Sequence, residues 1–352
     1  MARRRDNFGL LRLGAATAVL VSHAFGLTSR DDPFRAIADQ TLGDAAVAVF
    51  FAISGFLVVG SWFRDPNPLR FVGRRAKRIW PGLAVAVLFT AYVVGPIFTH
   101  LSVTDYLRNG GTRAFLSWLV MVPSHHLPGV FTSNTLSVPN GSLWTLPIEV
   151  KAYLLVAVLG VAGALKHRWL VWAAWLLAIE GVLVFGVFNV APAVHIWPRE
   201  GYLFAVFLGG AVLYHERDRV PLRAGLVAAL VAAWVLSSGT AMQVPMGAAA
   251  IPYACLWLAY RTRPVFVRFF DRVDLSYGMY LYGYPVEQGI RATLGGGATP
   301  AIMIALGVPI TAALAYMSWR FVERPALSAK RVELAVGQLD LQRPKVLPQV
   351  VD

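Results

Sequence analysis

Ten apolar stretches divide this chain, most of them long enough to cross a lipid bilayer. They run approximately over 8–28, 44–63, 80–99, 143–165, 169–188, 201–215, 224–239, 244–260, 275–293 and 300–322. No other feature restricts the fold as much. Lipid offers no hydrogen-bond partners, so a spanning segment closes its backbone bonds within a helix or a closed barrel. Stretches of roughly 20 residues suit helices, whereas barrel strands need only about 9–11. The chain therefore reads as an all-α polytopic membrane protein, with about ten transmembrane helices in one bundle. Only 14% of its 352 residues are charged, against about 25% in soluble domains. The sixth and seventh stretches are short and need tilt or thin lipid.

Positive charge alternates between the two sides of this plan. One side holds Arg3 to Arg5, the cluster from Arg64 to Arg78, Lys166 and Arg168, Arg217 to Arg223, Arg261 to Arg272, and the tail from Arg320 onward. The other holds only Arg30, Arg35, Arg108, Arg113, Arg199 and Arg291. Loops rich in Lys and Arg stay in the cytoplasm, so both termini are predicted there. The net charge of +13 follows from this pattern, and nucleic acid is not an expected partner. The first stretch contains Arg12 and His23 and lacks a clear cleavage site, so it is expected to remain as a span.

Residues 1–325 are read as one transmembrane domain, and 326–352 as a cytoplasmic tail, partly disordered. The longest outer segment covers about 100 to 142. Its apolar run from Ala114 to Val122 is too short to span, and is expected to be interfacial or re-entrant. Cys255 is the one cysteine, which excludes an intramolecular disulfide and a thiolate metal site. No His and carboxylate spacing suggests a metal. No phosphate-binding loop, dinucleotide fingerprint or nucleophile elbow occurs.

Ionisable groups inside spans are costly and often mark a functional path. Arg12 and His23 are eleven residues apart, which returns them to nearly one helix face, roughly 16 Å apart along the axis. Snorkelling of Arg12 and a simple interhelical bond from His23 are the bland alternatives. Ser54 and Gly55 permit close approach of a ligand or of another helix. Arg74, Arg75 and Arg78 suit a phosphate-bearing ligand, or act as a topology signal. Thr145, Glu149 and Tyr153 share a face at i, i+4 spacing. Glu323 could pair with the arginine cluster or serve catalysis.

In order along the chain, these pieces resemble the acyltransferase-3 family of membrane O-acyltransferases. The Arg-x10-His motif matches Arg12 and His23, and Phe-Phe-x-Ile-Ser-Gly-Phe-Leu matches Phe50 to Leu57. Arg-x-x-Arg matches Arg75 and Arg78. Ser-Leu-Trp-Thr-Leu-x-x-Glu matches Ser142 to Glu149, with Tyr153 after it. Ser-Tyr-x-x-Tyr-Leu matches Ser276 to Leu281, and Glu-x-Pro matches Glu323 and Pro325. Many members carry a His where this chain has Gly283. No fused periplasmic esterase-like domain is present in this sequence.

The resemblance implies transfer of an acyl group, usually acetyl, from cytoplasmic acyl-CoA to a sugar hydroxyl on the periplasmic side. The enzyme is then expected in a bacterial inner membrane, modifying a surface polysaccharide, a lipopolysaccharide or a lipid-linked precursor. Arg75, Arg78 and Arg74 would take the CoA phosphates, with Ser54, Gly55 and Tyr153 lining the substrate path. His23 would act as general base, or carry the acyl group itself. Arg12 would position the donor or stabilise developing charge. Glu149 would orient a base, pair with Arg12 or hold the acceptor. Acyl-CoA, a carbohydrate acceptor and membrane lipid are the expected partners, with no metal cofactor. The outer segment 100–142 is expected to govern acceptor choice. The rival reading is a transporter or flippase of a lipid-linked sugar.

Overall fold

The computed structural model describes residues 6–188, 198–270 and 272–327. The predicted tail therefore lies almost wholly outside the described residues, as does His195. Among the described residues the regular elements are helices, and the only β pairing is a single bridge between Thr99 and Val130. Ten principal helices follow in chain order. They are α1 (Phe8–Leu27), α2 (Leu42–Arg64), α3 (Pro68–Phe89), α4 (Thr145–Val161) and α5 (Arg168–Phe188), then α6 (Pro198–Glu216), α7 (Ala224–Leu236), α8 (Gln243–Arg261), α9 (Ser276–Leu294) and α10 (Pro300–Ser318).

Among the described residues five helical stretches are long and apolar enough to cross a membrane: Phe8–Leu27, Leu42–Arg64, Pro68–Phe98, Gly141–Val161 and Pro300–Leu327. α7 is apolar but short. α9 carries Glu287, Gln288 and four tyrosines, and most of it is buried. Its polar groups are therefore sheltered by protein, where an intramembrane charge is tolerated.

The sequence explains the local starts and bends. Thr41 and Asp44 form a reciprocal cap at the start of α2. Asn67 accepts from the Arg70 amide at 2.9 Å, with Pro68 at the first helical position of α3. α3 runs through a π turn (Thr90–Val94) to Phe98, and α10 ends in another (Trp319–Glu323). Pro285 has no amide to give the Leu281 carbonyl four residues back. The side chain of Asn140 supplies that hydrogen bond at 2.9 Å.

Packing centres on α2, which lies against α1 and α6, while α9 lies against α1 and α10. The α2–α6 crossing is made by glycines. A β-carbon on Gly55 would strike the Phe207 carbonyl, and one on Gly210 would strike that of Ala52. The backbones meet because neither helix has a side chain there.

The 100–142 segment folds back beside α3. Tyr106 is fully buried and its hydroxyl donates to the Ala91 carbonyl at 2.7 Å. A 3-10 helix, Phe115–Val120, buries Phe115 and Trp118. The Trp80 indole donates to the Leu119 carbonyl at 2.9 Å. Trp80 sits about 18 residues before the end of the α3 extension, roughly 27 Å along the axis. The run from Ala114 to Val122 thus packs beside α3, well short of the end of its extension. The segment then crosses α9, where buried Gln288 donates to the Leu136 and Val138 carbonyls and Asn134 donates back to its side chain.

Candidate functional site

A cavity of about 580 Å³ opens among α1, α2, α3, α4 and the start of α9. α1 contributes Arg12, α2 contributes Ser54 and Arg64, and α3 contributes Arg74, Arg75, Lys77 and Arg78. α4 turns Thr145, Glu149 and Tyr153 onto it together, as their i, i+4 spacing requires. Of the residues nominated from the sequence, all but His23, Gly55 and Glu323 line this one cavity.

The cations there fall into two groups. Arg74 is bonded to Asp65, which also takes Arg70 at 2.8 Å. Arg78 bonds Asp274 at 2.8 Å and approaches Glu323 at 3.8 Å. Arg12 reaches the same Asp274 oxygen at 3.3 Å. These pairs join α1, α3, α10 and the approach to α9. The π turn at the end of α10 buries Glu323, and Ser318 donates to it at 3.0 Å. By contrast Arg64, Arg75 and Lys77 make no ion pair within 4 Å among the described residues, and Glu149 acts on Arg75 only from further off. Arg75 stands over the Tyr153 ring at 5.7 Å, its Nε buried without a hydrogen bond. Tyr153 in turn donates to Glu149. The cavity thus keeps positive charge that the fold does not neutralise, the condition for an anionic ligand.

Two carboxylates outside the helices register this field. Burial works against ionisation of Asp274, but Arg78 and then Arg12 outweigh it and hold the carboxyl below its ordinary range. Asp274 also accepts from the Ser276 hydroxyl at 2.6 Å. Asp65 is likewise lowered, chiefly by its hydrogen bond from Arg74.

His23 lies in a second cavity of about 280 Å³, towards the far end of α1. Its Nδ1 is 3.4 Å from Oε2 of Glu287, a carboxylate with no exposed surface. Tyr284 packs edge-on against the imidazole, with ring centres 4.9 Å apart. With Nδ1 turned to Glu287, Nε2 is the nitrogen left for the cavity. The two cavities share a wall made by Val47 and Tyr280. The Tyr280 hydroxyl lies 2.6 Å from that of Thr145. An Arg12 face and a His23 face thus exist on one helix, but they open into adjoining chambers. This is chemistry for an anionic donor on one side of the wall and a base with an oriented imidazole on the other.

Gly55 does not line either chamber. It faces α6 at the glycine crossing, so its place is packing, the alternative that its small size left open. Gly283 is also a packing position, since a β-carbon there would meet the Leu20 side chain at 2.6 Å. Sequence reasoning missed Asp274, Glu287 and the wall role of Tyr280. Glu287 carried a usable signal: it is a carboxylate inside a span, the same rule that selected Glu149. Among the described residues no cluster of three or more His, Cys, Asp or Glu is arranged to hold a metal ion.

The chain is 28% identical over 339 residues to a protein named O-acetyl transferase from Shigella phage Sf6, covering 94% of this chain and 98% of that one. It is 28% identical over 358 residues to Nodulation protein 10 of Rhizobium leguminosarum bv. viciae, covering 93% and 94%. No solved structure matches the chain. The acyltransferase-3 profile, described as an acyltransferase domain, matches residues 5–320, nearly the whole chain, and this membrane protein therefore belongs to the acyltransferase-3 family.

Proposed function

We propose that the protein moves an acyl group, acetyl above all, from cytoplasmic acyl-CoA to a sugar hydroxyl presented from the opposite side of a bacterial inner membrane. In this reading the ten principal helices all span, and both termini are cytoplasmic. The arginine-rich mouth then faces the cytoplasm, in keeping with the positive-inside rule. The observation that carries the proposal is the shared wall of Val47 and Tyr280 between the cationic chamber and the His23 chamber. The name of the Sf6 phage relative supports acetyl as the group transferred.

The steps follow from the residues. Arg75, with Arg64 and Lys77, takes the CoA phosphates, because these cations are not committed to the fold. Arg12 and Ser54 line the way inward for the pantetheine arm. The thioester comes to the wall. Nε2 of His23 takes the proton of the acceptor hydroxyl as its oxygen attacks the thioester carbonyl. The carbon–sulfur bond breaks, and the CoA thiolate leaves, taking back the proton held by His23. Glu287 orients the imidazole from Nδ1. Glu149 and Tyr153 hold the donor in the inner chamber.

The test is transfer of radiolabelled acetyl from acetyl-CoA by the purified protein, using methyl glycosides as acceptors. Labelled ester formation that is lost in His23→Ala supports the reading. An inability to bind or consume acetyl-CoA overturns it.

A further inference from the structure

A third cavity, of about 250 Å³, lies beyond the His23 chamber at the end of the bundle opposite the arginine cluster. It is lined by Gln40, Asp44, Trp144, Arg199, Tyr202 and Gln243 among others. Asp44, Val47, Trp144 and Arg199 belong to both this cavity and the His23 chamber, so the two adjoin. We propose that this cavity is the acceptor subsite and that it takes one neutral sugar ring, presenting a hydroxyl inward to His23. The proposal rests on the acyl-transfer reading above and names the residues that hold its second substrate.

Three observations carry it. First, the charge differs from that of the inner chamber. Arg35 and Arg199 are matched here by Asp39 and Asp44. The site offers donors and acceptors with no excess of either sign, which suits a polyol and not a phosphate. Second, its polar atoms are left open. The Tyr202 hydroxyl and Nε2 of Gln40 are buried with no hydrogen-bond partner. Such groups are rare in folded proteins and call for a partner. Arg199 Nη2 approaches Oδ2 of Asp44 at 3.7 Å, and Thr41 also bonds Oδ2 at 2.7 Å. Oδ1 therefore remains for a ligand. Third, the open polar atoms continue inward. Ser142 Oγ in the next chamber also lacks a hydrogen bond, and Nε2 of His23 is turned to that chamber. A hydroxyl-rich ligand entering past Arg199 meets unpaired polar atoms in both chambers, with the indole of Trp144 as apolar wall.

This assignment moves acceptor recognition away from most of the 100–142 segment. The part of that segment around Phe115–Val120 packs beside α3, and only its end, at Leu136 and Ser142, reaches either chamber, with Trp144 just after it. Acceptor recognition falls instead to the 28–41 connection and to the starts of α2, α6 and α8.

The experiment uses the full chain in lipid nanodiscs, with acetyl-CoA and a panel of methyl glycosides of common hexoses, deoxyhexoses and N-acetylhexosamines. Tyr202→Phe removes one unpaired hydroxyl and no packing, and Arg199→Gln removes one guanidinium. Each is expected to raise the glycoside KM by about tenfold, the worth of one hydrogen bond to a charged or buried group, with the acetyl-CoA KM within about twofold. Glycoside KM unmoved in both variants, or a shift of the acetyl-CoA KM instead, overturns the site. Consumption of acetyl-CoA by hydrolysis alone, with no glycoside acetylated, overturns the sugar assignment while leaving the donor reading intact. Failure to bind or consume acetyl-CoA defeats the acyl-transfer reading and this inference with it.

Discussion

The Tyr280 hydroxyl lies 2.6 Å from Oγ1 of Thr145, and the ring behind it forms part of the wall between the cationic chamber and the His23 chamber. Phe50 braces that ring edge-on at 5.9 Å. The bond ties α4 to α9, both of which line the cationic chamber. Tyr280→Ala joins the chambers. It is expected to raise acetyl-CoA hydrolysis in the absence of sugar by severalfold, while transfer to sugar falls. Free CoA release with and without acceptor measures both. Unchanged hydrolysis with unchanged transfer would remove Tyr280 from the partition.

In the proposed reaction Glu287 acts through His23 and not on substrate. Glu287→Gln keeps the shape and removes the carboxylate from beside Nδ1. A kcat reduced by about 10- to 100-fold is expected, with both KM values near wild type. Glu287→Asp should recover part of the rate. A change confined to KM, or equal losses in the Asp and Gln variants with a lowered melting temperature, would indicate a structural role alone.

Arg75 and Arg74 are adjacent in sequence but differ in commitment. Arg74 is bonded to Asp65, whereas Arg75 makes no ion pair within 4 Å among the described residues. Arg75→Ala is expected to weaken acetyl-CoA binding by about tenfold or more, the worth of a hydrogen bond to a charged group. Arg74→Ala should weaken it less and lower the melting temperature more. Calorimetry at two salt concentrations reads the first effect, since a phosphate contact is screened by salt. Equal effects on affinity from both variants would contradict this division.

Asp274 balances Arg12 and Arg78 together. Asp274→Asn leaves both guanidiniums without it and is expected to cost about 2–3 kcal/mol, below the range for a fully buried pair because the site is partly open. The same carboxylate gives a pH signature. Its folded pKa is lowered, so the stability it adds is complete above the ordinary carboxylate pKa of about 4. That stability is lost as pH falls through the lowered value. Wild type and Asp274→Asn should therefore converge in melting temperature at acidic pH and diverge towards neutrality. A constant difference across pH would mean that the ion pairs are not its source.

Much of this site was legible from the sequence. Helical spacing alone brought Thr145, Glu149 and Tyr153 to one face, and the cost of charge in lipid singled out Arg12 and His23. What could not be read was partnership. Asp274 lies 196 residues from Arg78 in the chain, and nothing in local pattern ties a loop aspartate to a distant arginine. The face shared by Arg12 and His23 suggested one continuous channel. The intervening wall comes from Val47 and Tyr280 on other helices, so it was invisible from α1. Gly55 was ambiguous for a related reason: a missing side chain makes room for a ligand or for a helix, and only the neighbour decides. The helices were legible as apolar runs, but among the described residues only five are long and apolar enough to span, and α3 begins at Pro68, twelve residues before the apolar stretch that marked it. The fold of the 114–122 run against α3 was not legible, because a run too short to span is compatible with two placements.

The division of cations into paired and unpaired sets has an evolutionary consequence. Arg12 and Arg78 share Asp274, so exchanging that carboxylate leaves two guanidiniums without it in a sheltered place. Arg64, Arg75 and Lys77 carry no such debt to the scaffold. A single substitution at Arg64 or Lys77 would therefore change the grip on the donor phosphates without unpairing a carboxylate. Replacement of Asp274 would have to be met by changes at Arg12 and Arg78. Donor affinity could thus drift gradually, while the frame beneath it stays fixed.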